Sequence, residues 1–184
     1  MVQPRNFADD AAMHYRKIKR IIEHLRLQGC KVTDYSHIRD YQRRGIDLEV
    51  DGQDVLVICD QQISKTLNLS LELIEDFEQG IVGAFIRTQA KYLYYFDTFT
   101  QTLHILDIEK LKKVITFLDY KRMDAAKATT RGKDGRTYSS LNLLLPLTVL
   151  QSNKAAISYR VVSIQKGEEQ PDTGMQDIFS ISQE

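Results

Sequence analysis

The chain is poor in several things, and each shortage removes a class of answer. Its 184 residues include no tryptophan, three prolines and two cysteines, Cys30 and Cys59. The cysteines are not in a C-x-x-C pattern, and with four scattered histidines they complete no zinc spacing. Reduced thiols in an intracellular protein are the simplest reading. An excess of one charge is also missing, since Lys plus Arg and Asp plus Glu each number 25. No global field draws the chain to nucleic acid or membrane, although a local basic patch stays open. Met1 to Asp10 is neither apolar nor arginine-rich, so no signal or transit peptide is visible. The longest apolar run, Leu143-Leu144-Leu145-Pro146-Leu147, is far too short to span a bilayer. The expectation is a soluble, cytoplasmic protein with no membrane partner: one domain over residues 1–166 and a flexible tail over 167–184.

What is present begins with an amphipathic helix from about Ala8 to Leu27. Tyr15, Ile18, Ile21, Ile22 and Leu25 recur at three- and four-residue steps, and Gly29 is a plausible stop. Arg16, Lys17, Lys19 and Arg20 sit mostly off that stripe, where they either face phosphate or form a solvated face. Cys30–Tyr35 reads as a short strand and Ser36–Arg44 as a polar connector. Tyr92–Phe96 and Thr102–Leu106 read as strands rich in aromatic and branched residues. Asp107 is an N-cap for a helix reaching about Leu118. From Lys121 to Arg136 the chain is polar and basic, with Lys121, Arg122, Lys127, Arg131, Lys133 and Arg136 against Asp124 and Asp134. This stretch reads as a loop, either solvated or in contact with a nucleic-acid backbone. Late apolar segments follow at Tyr138–Leu150 and Ile157–Ile164.

The organising stretch is Gly45–Glu72. Asp51-Gly52 between two alternating runs signals a two-residue hairpin, because a type I′ turn needs positive φ at both positions. That turn pairs Val50 with Gln53, Glu49 with Asp54, Leu48 with Val55 and Asp47 with Leu56. Alternation then puts Ile46, Leu48, Val50, Val55, Val57 and Cys59 on one apolar face. Asp47, Glu49, Asp54, Leu56, Ile58 and Asp60 share the other. Thr66–Leu73 alternates as well, and a three-strand meander is the economical reading. The presence of Leu56 and Ile58 implies that the polar face is at least partly covered.

The order Gly45-Ile46-Asp47, Asp60, Thr66-Leu67-Asn68 and Glu72 resembles the PD-(D/E)xK nuclease superfamily. The resemblance covers roughly residues 8 to 150. Many members of that family read Gly-Ile-Asp, Glu-Val-Lys, Asp, and Thr-Gly-Asn followed shortly by Glu. The resemblance implies an α/β (α+β mixed sheet) restriction-endonuclease-like core: a mixed central sheet with an antiparallel meander, flanked by helices. In such enzymes two carboxylates on paired strands hold Mg²⁺ against the scissile phosphate, and the lysine helps activate water. The hairpin register independently selects residues 56 and 58 as the Glu and Lys positions.

They are Leu56 and Ile58, which neither ligate a metal nor handle a proton. The main expectation is therefore a nuclease-like protein without catalysis, with no certain cofactor, kept as a nucleic-acid-binding or protein-interaction module. Its substrate-binding candidates are Thr66, Asn68, Lys121, Arg122, Lys127, Arg131, Lys133 and Arg136. The alternative is an active Mg²⁺-dependent DNA endonuclease with migrated catalytic groups Asp47, Glu72 and Lys65, and with Asp47 and Asp60 as metal ligands. An unrelated α/β domain remains a third reading.

Overall fold

A computed structural model describes residues 7–117, 125–131 and 137–164. The N-terminal stripe forms helix α1 (Phe7–Leu27), which buries Ile18, Ile21, Ile22 and Leu25. Each of these side chains contributes about 2 kcal/mol through its removal from water. Gly29 ends the helix at φ +83°. Its N–H bonds Arg26 O at 2.9 Å and the Cys30 N–H bonds Leu25 O at 3.0 Å, the paired contacts of a Schellman motif.

The remaining elements form a mixed α/β fold with two sheets. The larger has six strands in the order β1 (Val32–Asp34), β2 (Leu48–Val50), β3 (Gln53–Asp60), β6 (Tyr92–Asp97), β7 (Thr102–Asp107) and β10 (Arg160–Ser163). Only β3 and β6 are parallel. The smaller sheet is antiparallel, ordered β5 (Ile81–Val82), β4 (Asn68–Asp76), β9 (Thr137–Pro146) and β8 (Ala125–Arg131). Short helices α2 (Arg39–Arg43), α3 (Ile63–Thr66), α4 (Ala84–Arg87) and α6 (Leu147–Ser152) and the longer α5 (Ile108–Phe117) complete the chain. The Asp107 carboxylate accepts the Lys110 N–H at 3.1 Å, so α5 starts at its expected cap.

The hairpin forms as its turn requires, with φ +50° at Asp51 and +76° at Gly52. Val50 pairs with Gln53, Glu49 with Asp54 and Leu48 with Val55. The third strand of the meander is a correction: it is β1, on the far side of β2. The strand expected over Thr66–Leu73 is β4, which lies in the smaller sheet against β9. The reason is burial, because Leu69 and Leu71 pack with Leu143 and Leu145 of β9 in a common core. The free edge of β3 is taken by β6 instead. A second correction concerns Lys121–Arg136, where Ala125–Arg131 forms strand β8 rather than loop. Lys121, Arg122, Lys133 and Arg136, and the expected tail over 167–184, lie outside the described residues.

Both faces of the larger sheet are covered. On one side α1 packs with Leu48, Val50, Val55, Val57, Tyr94 and Phe96. On the other, Leu56, Leu93 and Tyr95 meet the smaller sheet, α5 and α6. No helix among the described residues is long and apolar enough to cross a membrane.

Gly45 opens the stretch that leads into β2, at φ +65°. A Cβ there would stand 2.9 Å from Thr88 Cβ and 3.0 Å from its Cα, and the Thr88 hydroxyl donates to Gly45 O at 2.7 Å. Left-handed strain and a clash against backbone therefore combine. Gly45→Ala is expected to destabilise the fold by roughly 2–4 kcal/mol. A urea midpoint unchanged from the wild type would refute this account of the turn.

Candidate functional site

The backbone leaves regular strand geometry just before β2, and this decides what Asp47 does. Ile46, expected on the face of Leu48, packs instead with Leu56 and the opposite core. The Asp47 N–H donates to Val55 O at 2.8 Å, and its carbonyl accepts the Tyr35 N–H at 2.8 Å. Its carboxylate Oδ2 accepts the Val57 N–H at 2.7 Å. The side chain thus continues the hydrogen-bond ladder of β3 where the β2 backbone has ended. The expected opposition of Asp47 to Leu56 is absent from the register, which stops at Leu48 with Val55.

Burial raises the Asp47 carboxyl from 3.8 to about 6, and nearby Asp34 adds to the shift, while the Val57 N–H opposes it. Cys59 lies close enough to sense the Asp47 charge. Burial pushes its thiol up to about 12, with Lys17 acting against the shift, so it is no thiolate nucleophile.

The two positions where the resemblance expects a glutamate and a lysine are apolar and packed. Leu56 is 5% exposed, and Ile58 is half-buried against the same cluster. Asp60 ends β3, where Oδ1 accepts the Gln62 N–H at 2.7 Å and Oδ2 accepts the Tyr95 hydroxyl at 2.8 Å. That hydroxyl in turn accepts the Ser70 N–H at 2.9 Å, which ties the two sheets together. Neighbouring Asp97 is spent on the Phe99 N–H at 2.9 Å and the Thr100 hydroxyl at 2.7 Å.

The other candidates scatter. Lys65 is exposed on α3. Thr66 and Asn68 bond within their own turn, Asn68 Nδ2 donating to Thr66 O at 2.8 Å. Leu67 between them adopts φ +54° while 61% exposed, a conformation that favours glycine. Glu72 lies on β4 of the smaller sheet, whereas Asp47 leads into β2 of the larger, and the Glu72 carboxylate accepts the Ala84 N–H at 3.1 Å. Lys127 and Arg131 lie on β8. Among the described residues no three His, Cys, Asp or Glu side chains gather as a cation cage.

Comparison with family models, with curated proteins and with solved structures returns no match.

Two features escaped sequence reasoning. One is the Asp60–Tyr95–Ser70 link: the sequence offers Tyr95 as a sheet residue or, with Tyr92 and Tyr94, as a base-stacking ring, and its opposite orientation to Tyr94 is the signal for a different role. The other is buried His104, whose Nδ1 stands 2.7 Å from the Tyr159 hydroxyl and which burial holds below the usual histidine value. Nothing local marks His104, because Tyr159 is 55 residues away.

The chemistry of Asp47 predicts a pH dependence. A carboxyl raised on folding binds a proton more tightly in the native state, so its contribution is full below about pH 4 and is lost as pH rises through 6. Above that, the ionised carboxylate costs about 3 kcal/mol. Asp47→Asn keeps an acceptor for the Val57 N–H without the charge. It is expected to exceed the wild type by roughly 1–3 kcal/mol at pH 7.5 and to match it near pH 4. Denaturant titrations of both proteins across that range check this, and a mutant weaker than wild type at pH 7.5 would sink it.

Proposed function

We propose that the chain is a PD-(D/E)xK-like domain that lacks nuclease chemistry and serves to bind nucleic acid. The observation that carries the first half is the burial of Leu56 and Ile58 at the positions where the Glu and Lys would act. Two backbone details support the resemblance. Gly45 takes positive φ ahead of Asp47, and Leu67 takes positive φ in the Thr66-Leu67-Asn68 turn, where many members of the family have glycine.

Magnesium does not fit the residues present. It needs several oxygen ligands in near-octahedral order. Asp47, Asp60 and Glu72 each accept a backbone N–H, and Asp47 lies just before β2 of the larger sheet while Glu72 lies on β4 of the smaller. The same facts weigh against a relocated site of Asp47, Glu72 and Lys65. Nucleic acid is favoured as the partner because basic residues cluster locally in a chain of balanced charge, at Lys121–Arg136 and along α1. Phosphate contacts supply affinity without any cleavage chemistry.

The test is incubation with supercoiled plasmid across Mg²⁺ and Mn²⁺ concentrations, together with binding measured at several salt concentrations. Intact plasmid and a complex that weakens steeply with salt are expected. Cleavage that disappears in Asp47→Ala would overturn the catalytic half. Salt-indifferent or absent binding would overturn the nucleic-acid half and leave a protein partner.

A further inference from the structure

Some cations of this protein have acidic partners; Lys31, Lys65, Lys112 and Arg160, away from α1, join no carboxylate among the described residues. Away from α1, Arg43 pairs with Asp40, Arg44 with Asp54, Arg87 with Glu75, Lys91 with Asp107 and Lys113 with Glu109. Along α1, Arg16, Lys17, Lys19, Arg20 and Arg26 stand against three acids; Asp9 and Asp10 lie in its first turn, so that Glu23 alone opposes the cations from His14 to Leu27. Among the described residues no ion pair joins Arg16, Lys19 or Arg26 to a carboxylate. The chain as a whole is neutral, so this helix is a concentrated positive stripe on a balanced surface.

Helical spacing sets the stripe opposite the core. Ile18, Ile21, Ile22 and Leu25 face inward, while Arg16, Lys19, Glu23 and Arg26 are exposed at three- and four-residue steps. Two of the cations are held in place. Lys19 lies over the Tyr15 ring at 5.0 Å, and the Arg26 guanidinium donates to Val32 O at 3.1 Å. Arg16 and Arg26 are about 15 Å apart along the axis, a length over which duplex nucleic acid carries on the order of nine phosphate charges.

We propose that this outer face of α1 seats the phosphate backbone of a nucleic-acid duplex; the proposal rests on the binding function above and assigns it a surface. Two observations favour a duplex over other polyanions. A membrane-surface helix inserts an apolar face into lipid, and the apolar face of α1 is buried against β3 and its neighbours. Single-strand binding uses open aromatic rings to stack bases, and one face of the Tyr15 ring is occupied by Lys19.

The experiment measures binding of a fluorescent DNA duplex of about 20 base pairs, longer than the ~16 pairs that a double-strand RNA-binding domain spans, across a salt series. It compares wild type, Arg16→Gln/Lys19→Gln and Glu23→Gln. The double variant is expected to bind roughly tenfold more weakly at low salt. Its slope of log K against log salt should be shallower by about 2, the loss of two released counterions. Glu23→Gln removes the acid that stands among these cations and is expected to tighten binding a few-fold, a gain that misfolding does not produce. If wild type binds and neither variant changes affinity or slope, the α1 assignment is overturned while the binding function stands, with Lys127 and Arg131 on β8 the next residues to replace. If wild type fails to bind, both fall. Sedimentation with phosphatidylserine vesicles is the third arm, and wild-type binding there that the double variant loses, without any effect on DNA, would replace the duplex with a lipid surface.

Discussion

Burial of β3 on both faces is the constraint on which the rest of the structure depends. It is flanked by β2 and by parallel β6, with α1 on one side and the smaller sheet on the other. Val55 and Val57 must therefore be apolar toward α1, and Leu56 and Ile58 toward the second core. A glutamate and a lysine at those two positions, held without ideal partners, would cost several kcal/mol each in desolvation. A strand packed in this way joins two hydrophobic cores through one element.

The carboxylates around β3 follow from the same packing. Where the β2 backbone turns away, the Asp47 side chain takes over its hydrogen bond to Val57. Asp60 and Asp97 close the ends of the two parallel strands by accepting N–H groups from the turns that follow. Backbone donors that leave the ladder at strand ends and in turns need partners, and short acidic side chains supply them. Residues that look like a metal site by type and order thus act as joints of the sheet. The Tyr95 hydroxyl extends this polar seam across to Ser70 and fixes one sheet against the other.

Local signals in the sequence were legible because they need no distant partner. The Asp51-Gly52 turn, the Gly29 stop after α1 and the Asp107 cap of α5 all depend on φ preference or on a side chain reaching its own neighbours. The destination of Thr66–Leu73 was not legible, because its alternation fits any partner strand. Pairing with β9, some seventy residues later, depends on which leucines can share a core. Strand β8 was hidden for a related reason: Ala125–Arg131 is polar and small, and its conformation comes from its ladder with β9 rather than from propensity. The face of Ile46 was misjudged because strict alternation assumes a straight strand, and Gly45 bends the chain just before it.

The sequence by itself determined the hairpin and its register, the helix that covers it, and the apolar character of residues 56 and 58. These follow from turn stereochemistry, periodicity and residue identity. Only the tertiary structure decided that the face of Leu56 and Ile58 is closed by a second sheet, that Asp47 is committed to a backbone N–H, and that Glu72 lies on the other sheet. Such facts depend on which strands meet across long stretches of chain, and burial of apolar area chooses among those pairings without leaving a local mark.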